Sequence, residues 1–418
     1  MRISGLSSAT LLLLAANCVY ATAIDSQQPI AGDGSTTGSL KSSSSSSSSI
    51  SASSSSPLIE LHKALVEHES ISGNEHNVAK FLIDYLEGLN LTVETQELAP
   101  LSASASATLN RRGSGPQKQQ ESSSRQNIFA YAGSSRKTRT LVTSHIDTVP
   151  PFWPYERRGE EIWGRGTVDA KGSVAAQIKA VEELVTEGAI AEGDVALLFV
   201  VGEEVGGDGM RKANDLGLEW ETVIFGEPTE LKLASGHKGI LSVKVHAKGK
   251  AGHSGYPELG RSANSMLIPA LYAMMNAQLP WSEKYGNTTL NLGRVEGGVA
   301  ANVIAEEAFA DIAIRIAAGT PATVKEVLLE AIQQTGQELD VEFGWGYGPV
   351  YIDSDVEGFD KIVVNYGTDI PNLEGDHKRY LYGPGDILVA HSDHEHLKVS
   401  DLETAVKGYK TLIEHSLK

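Results

Sequence analysis

Thiol chemistry is nearly closed to this chain, because one cysteine, Cys18, stands among its 418 residues. A lone thiol can form neither an internal disulfide nor a thiolate metal centre, so stability is expected from the core and from any bound metal. Basic charge is also short: 35 Lys and Arg against 53 Asp and Glu give a formal net charge of -18. That balance argues against nucleic acid or an anionic membrane as partner, since both are bound through basic patches. Long apolar runs are missing too, and nothing approaches the roughly 20 residues that span a bilayer. The short apolar run that does occur, Leu11 to Ala16, follows Arg2 and precedes Ala21-Thr22-Ala23. This is the pattern of a cleavable secretory signal over residues 1–23, and Cys18 would leave with it. The mature chain is expected to be secreted and soluble.

Residues 24–56 collapse into Ser, Gly and Thr, with an unbroken serine run over 42–49. Such a stretch has too little apolar surface to offset its ordering entropy, and reads as a disordered leader. At 418 residues the chain exceeds what one core usually supports, so two domains are expected. From Pro57 the apolar spacing predicts two helices and a strand over 91–96, then a Ser/Gln/Arg-rich interruption at 100–126. Beyond it come β-branched runs near 127–131, 141–145, 194–202 and 222–225, with a helix over 172–187. From about residue 239 the pattern changes to alternation, and strands and helices follow in the order βαββαβ to about 345. That order suits a small antiparallel sheet covered on one face by two helices, inserted in the first domain. The catalytic part would then be 57–238 and 346–418, with the insert at 239–345 serving as a lid or dimerisation domain. Asn90-Leu91-Thr92 and Asn287-Thr288-Thr289 are N-glycosylation acceptor patterns, at Asn90 and Asn287.

Three of the apolar runs end in chemistry. The first delivers His145 and Asp147, the next Glu203-Glu204, and the third Glu227, and their tips share one edge if the strands are parallel. Asp169 arrives on a Gly-rich turn, Trp163-Gly-Arg-Gly-Thr-Val-Asp169, ahead of a helix. Taken alone, His-x-Asp recurs by chance; the second acidic centre is what makes it informative. Adjacent carboxylates such as Glu203 and Glu204 repel unless something positive lies beside them. Two divalent cations would resolve the conflict for Asp169, Glu204 and Glu227, with His145 and His391 completing the shells. Imidazole and carboxylate donors without thiolate suit Zn2+, with Co2+ or Mn2+ as other occupants. Paired ions about 3.5–4 Å apart need a bridging carboxylate, and Asp169 on its tight turn is the candidate.

The ordered motifs SHIDTVP, WGRGTVDAKG, GEEVGGDG, GEPTELKLASGHKG, GKAGHSGYPELG, GGVAANVI and GPGDILVAH resemble those of the M20 metallopeptidases from Pro57 onwards. That family includes acetylornithine deacetylase, succinyl-diaminopimelate desuccinylase, aminoacylase-1 and glutamate carboxypeptidase. The resemblance implies an α/β fold with a mixed, mostly parallel sheet flanked by helices, of the zinc-exopeptidase type, and an inserted α+β ferredoxin-like domain. It implies one metal on His145, Asp169 and Glu227, and another on Asp169, Glu204 and His391. Glu203 would be the general base and Asp147 would orient His145. By the same resemblance His253 reaches a partner's site in a homodimer formed through the insert, and Asn302 and Arg315 contact substrate. The final motif departs from the family, because His391-Ser-Asp-His394-Glu395-His396 adds two histidines, either of which could be the ligand instead. His237 reads as structural or substrate-proximal.

The expected activity is hydrolysis of an amide next to a free carboxylate. A secreted two-zinc carboxypeptidase on peptides comes first, because a biosynthetic deacetylase finds its substrate inside the cell. An N-acyl-amino-acid deacylase is the alternative, and an aminopeptidase a third. A metal-binding module without turnover would have no use for Glu203.

Overall fold

The structure, a computed structural model, describes residues 56–101 and 124–418. The expected signal, nearly all of the serine-rich leader and most of the 100–126 interruption lie outside the described residues. Two helices open the fold, α1 (Pro57–Glu67) and α2 (His76–Gly88). Leu58, Leu61 and Leu65 on α1, and Val78, Leu82 and Leu86 on α2, fall on one stripe of each helix and are buried there. Strands β1 (Leu91–Leu98), β2 (Arg125–Ala132) and β3 (Thr140–His145) follow, then α3 (Lys171–Thr186), β4 (Val195–Val200) and β5 (Thr222–Gly226). The insert comprises β6 (Gly239–Lys248), α4 (Ala263–Met275), β7 (Thr289–Gly297), β8 (Glu307–Ile316), α5 (Pro321–Gln333) and β9 (Asp340–Tyr347). The chain closes with β10 (Lys378–Tyr382) and α6 (Val399–Ser416).

The principal sheet has the order β1-β2-β4-β3-β5-β10. Its last four strands run parallel, and β1 and β2 are antiparallel to their neighbours. The side-chain period of two splits each strand between two cores. Along β4, Leu197 and Phe199 join α1, α2, α3 and α6 in one core, while Ala196, Leu198 and Val200 join Met210, Trp220 and Ile370 in the other. Both faces are therefore covered, which is why β3 and β4 read as unbroken apolar runs rather than as alternations.

The insert forms a four-stranded antiparallel sheet, β7-β8-β6-β9, with its own core. Leu241, Val243 and Val245 of β6 and Ile312 and Ile314 of β8 pack under Met266 and Leu271 of α4 and Val324 and Leu328 of α5. Helix α4 starts where the Ser262 side chain accepts the Ser265 N–H, and α5 where Thr320 does the same for Thr323 with Pro321 at the first helical position. The sequence pattern did not disclose two small sheets. One joins 233–237, 350–351 and 361–364; the other joins 156–158, 161–163 and 396–398, tying the end of the chain to the stretch before Asp169.

Two histidines are sealed in this framework without charge. His62 on α1 has one ring nitrogen 2.9 Å from the Thr167 carbonyl. His237 lies between the Lys238 carbonyl at 2.7 Å and the Thr368 hydroxyl at 3.1 Å, which makes it a framework residue. Burial pushes each down to about 4 from an ordinary 6.5. Between those values the unfolded chain binds protons that the fold does not. Their stabilising contribution is therefore intact above pH 6.5 and lost as pH falls towards 4. At about 1.4 kcal/mol per pH unit, each ring accounts for up to about 3 kcal/mol of that loss. Denaturant unfolding at a series of pH values is expected to show the decline, and His62→Gln to reduce its slope. An unaltered slope in the variant would remove His62 as a source.

Candidate metal centre

The carboxyl edge of the parallel strands gathers the charged residues. Strand β3 is buried throughout and ends in His145, with Asp147 two residues on. Strand β4 ends at Val200, and after Gly202 the chain enters a tight turn, Glu203–Val205, that carries both glutamates. Gly202 has φ 79°, and a Cβ there would lie 2.0 Å from an Asp208 carboxylate oxygen, so only glycine allows the turn to close. Glu227 directly follows β5, Asp169 sits on the turn before α3, and His391 on the loop after β10.

These residues converge as two triads, His145–Asp169–Glu227 and Asp169–Glu204–His391, in each of which the ligand atoms lie within 4.8 Å of one another. Nε2 of His145 is 3.1 Å from Oδ1 of Asp169 and 3.8 Å from Glu227. Nε2 of His391 is 3.1 Å from Oδ2 of Asp169 and 3.1 Å from Glu204. Asp169 thus offers one oxygen to each triad, the arrangement a bridging ligand needs. His394 and His396 stand elsewhere. His394 faces its own neighbour Asp393, and His396 stacks on Trp163 at 4.6 Å.

The donor set fits divalent cations. Burial raises Glu203, Glu204 and Glu227 above the ordinary carboxylate range, and repulsion among them and from Asp169 and Asp369 adds to it. Asp369 is itself buried and pushed up to about 6, first by burial; it is a site residue that no motif or spacing singles out. Burial alone would depress the His145 imidazole, but the carboxylates of Asp147, Asp169 and Glu227 more than reverse that. Among the described residues no Lys or Arg pairs with Glu203, Glu204 or Glu227. The cations nearby are committed: Arg125 to Glu75 and Asp208, Lys171 to the His68 carbonyl, Arg165 to Glu395. A divalent cation is the counter-charge this chemistry lacks.

Two carboxylates hold the triads in shape from behind. Nδ1 of His145 donates to the Asp147 backbone carbonyl at 3.0 Å, which leaves Nε2 free as a ligand atom. The Asp147 carboxylate is 3.6 Å from that ring and does more than orient it. It accepts the N–H groups of Glu203 at 3.2 Å and Glu204 at 3.3 Å, and the Ser72 hydroxyl at 2.7 Å. One side chain therefore ties the tip of β3 to the tip of β4.

The second is Glu395, 2% exposed. Its Oε1 accepts N–H groups from Gly166 at 2.8 Å, Val168 at 3.3 Å and Asp169 at 3.4 Å, and its Oε2 accepts from Arg165 at 2.5 Å. His391 and Glu395 belong to one short segment. That segment both supplies a candidate ligand and clamps the turn that carries Asp169.

The insert places the remaining residues. His253 is exposed, its ring accepting from the Gly255 N–H at 3.0 Å, and Asn302 is exposed beside it, its carbonyl accepting from Ser254 at 3.1 Å. Neither meets the triads of its own chain. Arg315 of β8 does approach the site. Its guanidinium and the Tyr347 hydroxyl converge on the backbone at Gly367, and Arg315 and Glu203 both act on the Tyr347 phenol.

Comparison with known proteins agrees with this architecture. Residues 235–340 match the family model of a peptidase dimerisation domain. A peptidase M20 domain-containing protein of Sordaria macrospora is 48% identical over 391 residues, spanning 86% of this chain and 85% of its own. A probable carboxypeptidase of Aspergillus flavus is 47% identical over 397 residues, spanning 87% of this chain and 88% of its own. Among solved structures, an M20 family metallo-carboxypeptidase from Sulfolobus solfataricus covers 87% of this chain and 99% of its own, with TM-score 0.67 and 18% identity. A tripeptidase from Staphylococcus aureus covers 86% and 98%, with TM-score 0.66 and 20% identity. At these identities the two structures speak for the fold.

Glu395→Gln is expected to loosen the Asp169 turn and weaken metal affinity about 10- to 100-fold, the usual cost of losing such support. Competition with a chromophoric chelator measures it, with Arg165→Gln added in a second variant to restore the charge balance. Affinity equal to the parent's in both variants would leave Glu395 a packing role only.

Proposed function

The chain belongs to the M20 metallopeptidase family and is a hydrolase, and from that premise we propose that it is a secreted two-zinc carboxypeptidase acting on peptides. The observation that carries this reading is Arg315, whose guanidinium lies with the Tyr347 hydroxyl at the Gly367 backbone. Among the described residues Arg315 has no ion pair or hydrogen bond, though the Tyr347 phenol feels both its charge and that of Glu203. An uncommitted guanidinium suits a substrate carboxylate, which it can hold with two parallel hydrogen bonds.

One zinc would be held by His145, Asp169 and Glu227, and the other by Asp169, Glu204 and His391. When bound, such ions polarise a scissile carbonyl and lower the pKa of a shared water from near 16 towards about 7. Glu203 belongs to neither triad, so its carboxylate is free to take the proton of the attacking water and pass it to the leaving amine nitrogen. Burial and the repulsion of Glu227, Asp369 and Glu204 raise Glu203 well above an ordinary carboxylate, which makes it the stronger base for taking that proton. The Asp147 carboxylate keeps the Glu203 backbone in place throughout.

An N-acyl-amino-acid deacylase would present the same free carboxylate to Arg315, so it remains the alternative. The signal-like segment 1–23 supports secretion, and in the secretory path the exposed Asn90 and Asn287 would be accessible for glycosylation. Dimerisation through the insert is supported by Ile268, Tyr272 and Met275, which expose one apolar face of α4, and by β7, an unpaired sheet edge. Such a dimer would give the exposed His253 a site to serve in the other copy.

Glu203→Gln is expected to keep both metals and lose about 10²- to 10⁴-fold in kcat. Metal analysis and turnover of N-blocked dipeptides and N-acetylated amino acids check both halves; the better class of substrate decides between carboxypeptidase and deacylase. Activity that survives exhaustive chelation would remove the metallohydrolase mechanism. Tyr272→Glu on the exposed face of α4 is expected to shift the mass measured by light scattering to that of one chain, and an unchanged mass would count against this interface.

A further inference from the structure

Strand β9 carries Val341, Phe343, Trp345 and Tyr347 at alternate positions, which in an unbroken strand would put all four on one face. The register does not allow it. Val341 lies opposite Val245 and Phe343 opposite Val243, but the next pairs are Gly346 with Leu241 and Tyr347 with Ile240. Three residues on β9 span what two span on β6, so a bulge inserts one residue and reverses the facing of the residues beyond it. Val341 and Phe343 stay with the core beneath α4 and α5. Gly346 takes the next place on that side, where a Cβ would be 2.5 Å from the Ile240 carbonyl oxygen, so only glycine fits. Tyr347 turns to the open face of the insert's sheet. There it shares a cross-strand row with Ile240 and Arg315.

Trp345, in the bulge, is 57% exposed, an uncommon position for the largest apolar side chain. Its ring packs edge-on to Tyr347 at 5.1 Å, and the Arg211 guanidinium lies 5.9 Å from its centroid. Arg211 is anchored to the Gly206 carbonyl at 2.5 Å and to Asn372 at 3.2 Å, which places it behind the turn that carries Glu203 and Glu204. The bulge therefore sets an aromatic wall between Arg315 and the end of the turn that carries Glu203 and Glu204. It runs from Arg315 past Tyr347 to Trp345, and ends against the catalytic domain at Arg211.

We propose that Trp345, backed by Tyr347, is the surface on which the side chain of the substrate's C-terminal residue lies, so that the enzyme selects peptides ending in aromatic or large aliphatic residues. The assignment rests on the carboxypeptidase reading above, which sets the terminal carboxylate on Arg315. A side chain rising from that residue then meets the neighbouring aromatic rings. Nη1 of Arg211 is held by Gly206 and Asn372, and the apolar part of the surface is the paired rings of Trp345 and Tyr347.

The test uses the full mature enzyme and a panel of N-blocked glycyl dipeptides ending in Phe, Leu, Ala or Glu. The parent is expected to favour Phe and Leu over Ala and Glu by about 10- to 100-fold in kcat/KM, the range that burying one large apolar side chain supports. Trp345→Ala is expected to bring the Phe-to-Ala ratio close to one, mostly through KM, and Trp345→Phe to retain much of it, which a merely structural role would not produce. A parent without this preference, a preference for Glu, or a preference that survives in Trp345→Ala overturns the subsite while leaving the carboxypeptidase standing. Failure to cleave any member of the panel overturns the carboxypeptidase reading, and the subsite with it.

Discussion

Six carboxyl groups, those of Asp147, Asp169, Glu203, Glu204, Glu227 and Asp369, are drawn to one edge of one sheet, and the rest of the molecule is arranged around the repulsion this creates. Left to themselves they would take up protons or move apart. Parallel strands rigid on both faces keep them from moving apart, since β3, β4 and β5 are paired side by side and buried along their length. Bound cations are the alternative to protons. The same residues that make the apo site costly are what make it a strong ligand set, so fold rigidity and metal affinity have one origin.

The support for that arrangement comes from contacts between distant parts of the chain. Asp147 joins the tips of two strands through backbone N–H groups, and Glu395 joins the last segment before α6 to the turn that carries Asp169. Each acts largely through backbone N–H groups, and so fixes where a side chain of the triads starts from. His391, held at φ 62°, is the one ligand whose backbone is in a region unusual for its residue type. Its neighbour Glu395 anchors the segment.

Much of this was legible because the strands announce their own ends. An apolar run that stops at His145, Glu203-Glu204 or Glu227 gives both the element and the candidate site residue, and parallel pairing brings the three tips together. The insert was legible for the opposite reason, its alternation marking a sheet covered on one face only. Glu395 was not, since it stands among two histidines and an aspartate that look more like ligands, and its partners are backbone groups some 230 positions away. Asp369 follows no pattern at all. The bulge in β9 was hidden by its own regularity: Val341, Phe343, Trp345 and Tyr347 alternate without a break, and only the pairing with β6 shows that the last of them faces the other way.

The position of the insert along the chain has a consequence for how the molecule comes into being. His145, Asp169, Glu204 and Glu227 all precede it, whereas His391 and Glu395 follow it. A ribosome that has completed everything through β9 has made Glu203 and one whole triad, yet the second triad still lacks its imidazole and the Asp169 turn its anchor. The arrangement of side chains around Asp169 therefore cannot close during synthesis until the final few dozen residues emerge.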